Sequence, residues 1–237
     1  MKIGILASPS KKAAWELKNL PATSFSWVQD TNKHTEFDVW IDFDFDENPD
    51  RAQEYCSNNH TIFLLGAVFN SIEGILAQQK ITIPITSLNS GDNHAAISRW
   101  KAIGINNLPT FLERDTLEFT NPFNIDITKL EPIFFLLNYP KWECVNSRVG
   151  LVTPRIVCMI INEAYYTVQE KTALPADIDQ AMKLGTNYPK GPFQWCNEIG
   201  IKNVYLLLEA MYKDTGEERY KICSLLKQEF LQQQIGR

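Results

Sequence analysis

The stretch KIGILASPSKKAAWELKNL, Lys2–Leu20, reads as a short apolar strand, a tight turn and a helix. A unit of this kind opens many nucleotide-binding folds, where glycines in the turn let a phosphate approach the backbone. The turn here reads ASPSKK and carries no glycine, although Lys11 and Lys12 at the helix start would attract an anion. We therefore expect the first crossover of a parallel sheet, without a bound cofactor.

Further units of the same kind follow as far as residue 147. Short β-type runs alternate with helical stretches, which predicts a parallel sheet covered by helices. The predicted strands are Lys2–Leu6, Phe25–Gln29, Asp38–Phe43, Thr61–Gly66, Ile81–Thr86, Lys101–Asn106 and Thr116–Thr120. The predicted helices are Ser10–Asn19, Pro49–Ser57, Asn70–Gln78 and Asp126–Leu137, with Asp126 and Thr128 as caps of the last one.

The pattern changes at Gly150, from where apolar residues recur only at helical spacing. This half is predicted to be all α, and Asn146–Gly150 is a short hinge. We place an α/β domain at residues 1–147 and a helical domain at 148–237. The predicted helices are Pro154–Lys171, Pro175–Leu184, Phe193–Ile199, Lys202–Tyr212 and Glu218–Gln232, with turns or helix ends at Gly185, Gly191, Gly200 and Gly216.

Composition excludes several classes of protein. A net charge of −5 argues against a nucleic-acid surface, because phosphate neutralisation supplies most of that affinity. No apolar run approaches the roughly 20 residues that cross a bilayer, so we expect a cytoplasmic protein without a membrane partner. The five cysteines lack any C-x-x-C pair and the three histidines have no ligand spacing, which predicts packed thiols and no metal site.

Six segments of the helical half occur in an order typical of one enzyme family. They are GLVTPR at Gly150–Arg155, NEA at Asn162–Ala164, DIDQAMKLG at Asp177–Gly185, YPKGPF at Tyr188–Phe193, EIG at Glu198–Gly200 and YKDTGEERY at Tyr212–Tyr220. This half closely resembles the C-terminal domain of the 3-hydroxyacyl-CoA dehydrogenases. The resemblance implies a Rossmann-like NAD-binding domain before it, and a helical domain that shapes the acyl-CoA cleft and forms a homodimer.

The catalytic positions implied by this resemblance are altered. The family's histidine exchanges a proton with the substrate hydroxyl, and a glutamate twelve residues later orients it. These positions fall on Asn106 and Glu118 within GINNLPTFLERDTLEF, Gly104–Phe119. A carboxamide does not titrate in water, so Asn106 cannot act as the base, and losing positioned proton transfer costs a factor of about 10² to 10⁴.

The substrate positions of the family also differ here. An asparagine near the bound substrate is replaced by Pro154, which lacks a donor but suits the first turn of a helix. A serine that contacts the substrate hydroxyl corresponds to Ser90 or, as the second choice, Ser87.

The dinucleotide half departs furthest from the family. The three glycines of G-x-G-x-x-G correspond to Ala7, Pro9 and Lys12, so side chains take the space of a pyrophosphate. The resemblance implies an N-terminal domain that is about 40 residues longer than the one here, and the shortage lies mostly between Phe25 and Phe37. Asp30, ten residues after Leu20, is a candidate for the acidic residue that the resemblance places at the ribose.

An acidic segment, WIDFDFDEN at Trp40–Asn48, resembles the start of a calcium loop. Its sixth position is Glu47 instead of glycine and its twelfth is Gln53 instead of glutamate, which argues against calcium. We interpret it as a strand end that enters a helix, whose N-terminus favours negative charge. Such concentrated acid beside the cofactor position would repel phosphates.

Two hypotheses of function follow. We favour a relative without hydride transfer that acts as an acyl-CoA-binding, partner-binding or structural dimer and holds no cofactor, because base, substrate asparagine and loop glycines have all changed. The alternative is a divergent active enzyme that oxidises a 3-hydroxyacyl-CoA with NAD, as Glu118 suggests. In either case large aromatic side chains mark the helical domain as an interface, with about half of them in its core: Tyr165, Tyr166, Trp195, Tyr205 and Tyr212.

Overall fold

The computed structural model describes residues 1–16, 20, 25–58, 60–81, 85–86, 97–98 and 100–235. The chain divides into two compact units. The first consists of Met1–Asn107 and Phe111–Leu151, and the second of Leu108–Thr110 and Val152–Arg237. The first is an α/β unit and the second is helical, as the sequence predicts.

The α/β unit contains nine strands and four α-helices within its described residues. The strands are β1 (Ile3–Leu6), β2 (Ser26–Trp27), β3 (Val39–Asp42), β4 (Ile62–Gly66), β5 (Ile85–Thr86), β6 (Ile97–Ser98), β7 (Ala102–Ile105), β8 (Thr116–Thr120) and β9 (Lys141–Val145). The helices are α1 (Pro9–Glu16), α2 (Arg51–Tyr55), α3 (Ile72–Gln78) and α4 (Ile127–Leu136). Short 3-10 turns span Thr31–Glu36 and Phe45–Glu47.

Seven strands form the main sheet in the order β2-β1-β3-β4-β7-β8-β9, and β5 pairs with β6 separately. All neighbours in the main sheet are parallel except β7 and β8. The predicted parallel sheet is thus confirmed in the main, with one antiparallel step. Strand β9 was not predicted, because at the sheet edge its alternation of Lys141, Trp142 and Glu143 has mostly exposed positions and gives a weak strand signal.

The two faces of the sheet bury different side chains, since strand residues alternate between faces. On β1, Ile3 and Ile5 pack into one core with Trp15 of α1, whereas Leu6 packs into the other core with Trp40 of β3. Gly4 lies between them, where an added Cβ would stand 2.7 Å from the Trp40 ring. A glycine in the first strand therefore serves packing within the sheet.

The helical unit contains five α-helices in its described residues. They are α5 (Thr153–Gln169), α6 (Pro175–Thr186), α7 (Pro192–Ile199), α8 (Ile201–Thr215) and α9 (Ser224–Ile235). Gly216 ends α8 with a φ of 68°, as expected for a left-handed cap.

Two predictions for this unit are wrong. Helix α6 continues through Gly185 to Thr186, and Asn187 follows it as a cap in the left-handed conformation. The predicted helix Glu218–Gln232 is instead a 3-10 turn at Glu218–Tyr220 followed by α9, because side chains of α5 hold the intervening backbone. No helix in the described ranges has the length and apolar character needed to span a membrane.

Candidate functional site: the carboxyl edge of the sheet

The connections of β1 define where a ligand site would form. The chain passes from β1 to β2 on one side, and β3 lies on the other side of β1. Open α/β sheets bind ligands in the crevice at such a switch point, outside the carboxyl ends of the strands. Here these ends lead into the turn Ala7–Ser8 and into the segment Phe43–Glu47, which we call the acidic loop.

Lys11 fills the space between these two segments. It projects from the first turns of α1 and its side chain is buried. Its Nζ donates to the Phe43 carbonyl oxygen at 2.7 Å and lies 3.1 Å from Asp44 Oδ1 and 3.0 Å from Glu47 Oε1. The ammonium group that was expected to attract an external anion is therefore bound to groups of its own chain.

Asp46 occupies backbone donors at the same edge of the sheet. Its carboxylate accepts hydrogen bonds from the backbone N–H groups of Val68, Phe69 (2.9 Å) and Asn70 (3.1 Å) in the turn after β4. Burial raises the pKa of this carboxyl to about 7, although the backbone donors act to lower it. Three donors of the kind that bind phosphates elsewhere are occupied by an internal carboxylate.

Asp42 is the last residue of β3, and side chains of α2 bind its carboxylate. Its carboxylate accepts two hydrogen bonds from Arg51 Nη1, at 2.9 and 3.0 Å, and one from the Tyr55 hydroxyl at 2.9 Å. Burial raises the pKa of Asp42 despite this cation, and burial together with Asp42 raises the pKa of Tyr55. The acids of the segment Trp40–Asn48 are thus structural, and Asp46 binds a loop instead of the helix N-terminus that was expected.

The three positions that the resemblance assigns to the cofactor loop lie between the end of β1 and the first turn of α1. Ala7 is in the turn after β1, Pro9 begins α1, and Lys12 lies one turn into this helix with its ammonium 4.8 Å from the centre of the Trp27 ring. Asp30 accepts from the backbone N–H of Asn32 at 3.0 Å and caps the turn after β2.

These residues do not fit a dinucleotide. The crevice beside β1 holds Lys11 and the acidic loop, and a complete dinucleotide-binding sheet has a further strand outside the second one. In the part of the chain that the structure describes, β2 is the last strand on that side. Within the described residues, the sheet therefore has neither an open pyrophosphate position nor a strand beyond β2.

The two predicted catalytic positions are neighbours across β7 and β8. In this antiparallel pair Ile105 lies opposite Phe119, and the same register places Asn106 opposite Glu118. The Asn106 N–H donates to the Glu118 carbonyl oxygen at 3.3 Å. Opposite residues have their Cβ atoms roughly 4.5–5.5 Å apart on one face. The two positions assigned by the resemblance therefore lie opposite each other on neighbouring strands.

Asn107, the next residue, joins this region to the acidic loop. Its Nδ2 donates to the Phe43 carbonyl oxygen at 2.6 Å, so that one oxygen accepts from both Asn107 and Lys11. A Cβ added at Gly66 of β4 would lie 2.4 Å from this Nδ2 and 2.6 Å from the same oxygen. Lys11, Asp46 and Asn107 were not recognised as a cluster from the sequence, because they come from three different connections of the sheet.

The predicted substrate positions receive only a partial description. Pro154 is buried in the first turn of α5, as its helix preference predicts. Ser90 and Ser87 lie outside the described residues. In the described ranges no three His, Cys, Asp or Glu side chains are arranged to hold a metal ion.

The sequence motifs of the helical unit have structural roles. Asp179 of the DID motif accepts from the backbone N–H groups of Phe193 (2.8 Å) and Gln194 (3.0 Å), and so caps α7. Gly191 precedes this helix, and a Cβ there would lie 2.2 Å from Asp179 Cγ. The aspartate and the glycine of two separate motifs therefore form one contact.

The remaining motifs tie α5 to the segment before α9. Asn162 donates to the Lys221 carbonyl oxygen and accepts from the Cys223 N–H, both at 2.9 Å. Arg155 donates to the Tyr220 hydroxyl at 2.6 Å. These hydrogen bonds attach α5 to the segment Tyr220–Cys223, which precedes α9.

The first unit thus has the sheet of a dinucleotide-binding protein in reduced form, and the second is a helical domain whose motifs stabilise one another. Residues 150–237 match the family described as 3-hydroxyacyl-CoA dehydrogenase, C-terminal domain. The helical unit therefore matches the C-terminal domain of the 3-hydroxyacyl-CoA dehydrogenases, and the resemblance seen in its motifs is confirmed.

Two curated relatives illustrate the extent of the match. The 3-hydroxyadipyl-CoA dehydrogenase of Escherichia coli is 48% identical over 109 residues, which are 46% of this chain and 23% of that protein. A probable 3-hydroxybutyryl-CoA dehydrogenase of Deinococcus radiodurans is 29% identical over 158 residues, 65% of this chain and 55% of that protein. The matches thus span about a quarter to just over half of these relatives.

Solved structures show that the fold extends over nearly the whole chain. A crystal structure of (S)-3-hydroxybutyryl-CoA dehydrogenase from Ralstonia eutropha superposes with a TM-score of 0.70 at 18% identity, covering 96% of this chain and 92% of that one. FadB2 from M. tuberculosis gives a TM-score of 0.73 at 12% identity, covering 98% and 94%. At such identities these likenesses establish the fold alone.

Proposed function

We propose that this protein is a 3-hydroxyacyl-CoA dehydrogenase relative without hydride transfer, which acts as an acyl-CoA-binding or partner-binding dimer. The observation that carries the proposal is the buried cluster of Lys11 with the acidic loop at the switch point of the sheet. A pyrophosphate at this position would displace a buried ammonium from three oxygens and would face carboxylates in return, which is unfavourable.

The catalytic pair supports the same proposal. Asn106 opposite Glu118 can hydrogen-bond a substrate oxygen but cannot accept a proton at neutral pH. Glu118 keeps the place of the orienting carboxylate, and this retention is the observation in favour of a divergent active enzyme that uses NAD.

The helical unit supports the proposed dimer. Leu184 and Leu174 of the α6 region are 78% and 69% exposed, and Ile156 and Val152 at the start of α5 are also exposed. Of the aromatic residues, Tyr165 and Trp195 lie in the core, whereas Tyr212 reaches the surface. We infer that these exposed apolar side chains contribute to a protein interface. We also infer a cytoplasmic location, which suits the free thiols of Cys158, Cys196 and Cys223 packed in this unit.

Separate calorimetric titrations with NADH and with acetoacetyl-CoA test the proposal. We expect heat from acetoacetyl-CoA alone, and no oxidation of NADH when both are present. An Asn106→His variant provides a sharper test, because it places an imidazole opposite Glu118 without changing the crevice. If either wild type or this variant binds NADH and oxidises it with acetoacetyl-CoA, the proposed loss of cofactor binding is wrong.

A further inference from the structure

Strand β9 forms one end of the main sheet. One of its edges pairs with β8 along its whole length, with Lys141 beside Thr116 at one end and Val145 beside Thr120 at the other. No other strand in the described part of the chain pairs with its outer edge. An edge of this kind presents unpaired backbone donors and acceptors to any strand that can align with it.

Alternate residues of β9 direct their backbone N–H and C=O groups toward β8 or away from the sheet. The Lys141 N–H donates to the Asp115 carbonyl oxygen at 3.3 Å, so this residue points its backbone groups toward β8. Since these groups alternate along a strand, those of Trp142 and Cys144 point away from the sheet. Pro140, which precedes β9, has a carbonyl but no N–H.

The side chains around this edge carry complementary charges and an apolar patch. Lys141 and Glu143 are exposed on one face of the sheet. Trp142 lies on the face covered by α4, with its ring 5.2 Å from that of Phe135. Phe135 is 60% exposed and Leu136 is 43% exposed, so an aromatic and aliphatic patch flanks the open edge.

We propose that this edge pairs with the β9 strand of a second copy of the chain, in antiparallel orientation about a two-fold axis at Trp142. In this register each Lys141 lies opposite the partner's Glu143, and the two Trp142 residues exchange both of their backbone hydrogen bonds. The Cys144 N–H then donates to the partner's Pro140 carbonyl oxygen, which needs no N–H in return.

Charge disfavours the register centred on Glu143. A shift of the axis to Glu143 would place the two Glu143 carboxylates directly opposite each other, which is destabilising. Lysine on an edge strand normally discourages pairing. Glu143 lies two residues after Lys141, so a second copy of β9 can place its glutamate opposite this lysine. The strand therefore pairs more favourably with its own copy than with strands that lack this charge pattern.

The apolar patch would be covered by the same association. A two-fold axis perpendicular to the sheet keeps α4 of both copies on one side, so Trp142 and Phe135 of one copy approach those of the other. This surface belongs to the α/β unit and is separate from the helical surface proposed above for the family-type dimer.

Charge exchange tests the proposal in the full-length chain. Lys141→Glu and Glu143→Lys each place like charges opposite each other twice, so we expect the self-association constant from sedimentation equilibrium to fall about tenfold. The double variant Lys141→Glu/Glu143→Lys should recover the wild-type constant, and a mixture of the two single variants should form the heterodimer. The sites are exposed, and thermal melting verifies that each variant is folded.

Disulfide trapping tests the register. With Cys144 changed to serine, a Lys141→Cys chain mixed with a Glu143→Cys chain should give a mixed disulfide under mild oxidation, because residues opposite in an antiparallel pair have Cα atoms about 4.5–5.5 Å apart. If a dimer through the helical unit also exists, the charge effect appears at the step from dimer to tetramer. Association that is equal in all four charge forms, or no association at any step, overturns the proposal.

Discussion

Replacing Lys11 by methionine removes the cation from the buried cluster while keeping a side chain of similar length. Asp44 then retains a carboxylate that is 12% exposed and has lost its ammonium, whereas Glu47, 43% exposed, can turn to solvent. The Phe43 carbonyl oxygen keeps its bond from Asn107. Removal of one partner from a buried ion pair costs about 3–5 kcal/mol, and the relief available to Glu47 places our expectation near the lower value, about 3 kcal/mol.

This loss is measurable by thermal melting followed by circular dichroism. A change of about 3 kcal/mol lowers the Tm of a unit of this size by about 6–12 °C. Adding Asp44→Asn to Lys11→Met should recover part of the loss, because it removes the uncompensated charge. The matched control is Glu47→Gln, which breaks the half-exposed pair and should cost less than about 1 kcal/mol. A Tm of Lys11→Met within a degree of the wild type, or no recovery with Asp44→Asn, would refute the structural role of this cluster.

Three other predictions concern single contacts. Burial raises the pKa of Asp46 from 3.8 to about 7, so the folded protein holds this proton more tightly than the unfolded chain does. The contribution of the protonated Asp46 side chain to stability is therefore complete below pH 4 and is lost as pH rises to about 7. In urea unfolding, the stability of wild type relative to Asp46→Asn should therefore fall across this range by an amount on the order of 4 kcal/mol, and a flat difference contradicts it. Asp179→Ala should destabilise the helical unit by about 1–2 kcal/mol through loss of the α7 cap, and Gly191→Ala should lower the Tm of both wild type and that variant, because its Cβ would lie 2.4 Å from Asp179 Cβ, an atom that Asp179→Ala retains. Gly66→Ala should cost more than about 3 kcal/mol, because its Cβ would overlap Asn107 and a carbonyl oxygen; a soluble variant with unchanged Tm would be inconsistent with the close packing of β4.

Much of the fold could be predicted from the sequence alone. Buried strands such as β1 and β4 have continuous apolar runs, and Asp126 caps α4 through the Thr128 N–H as its position predicts. The edge strand β9 could not be found in this way, since only part of it is buried. Gly185 shows a similar limit, because a glycine within α6 is tolerated when Asn187 supplies the left-handed residue that ends the helix.

The candidate site was only partly predictable. The spacing of Asn106 and Glu118 follows from resemblance to the family, and the structure places them opposite each other. The role of Lys11 could not be read from the sequence, because a lysine at a helix start is usually solvated. Its burial depends on carbonyl and carboxylate oxygens that come from a loop more than thirty residues away.

The sequence by itself determined the two-part organisation, the strand–turn–helix of Lys2–Leu20 and the helical motifs, because hydrophobic periodicity and turn chemistry act over short distances. Only the tertiary structure decided that the acidic loop closes the carboxyl edge of the sheet. This closure requires Lys11, Asp46 and the turn after β4 to meet, and the order in which strands lie side by side is a property of the folded chain.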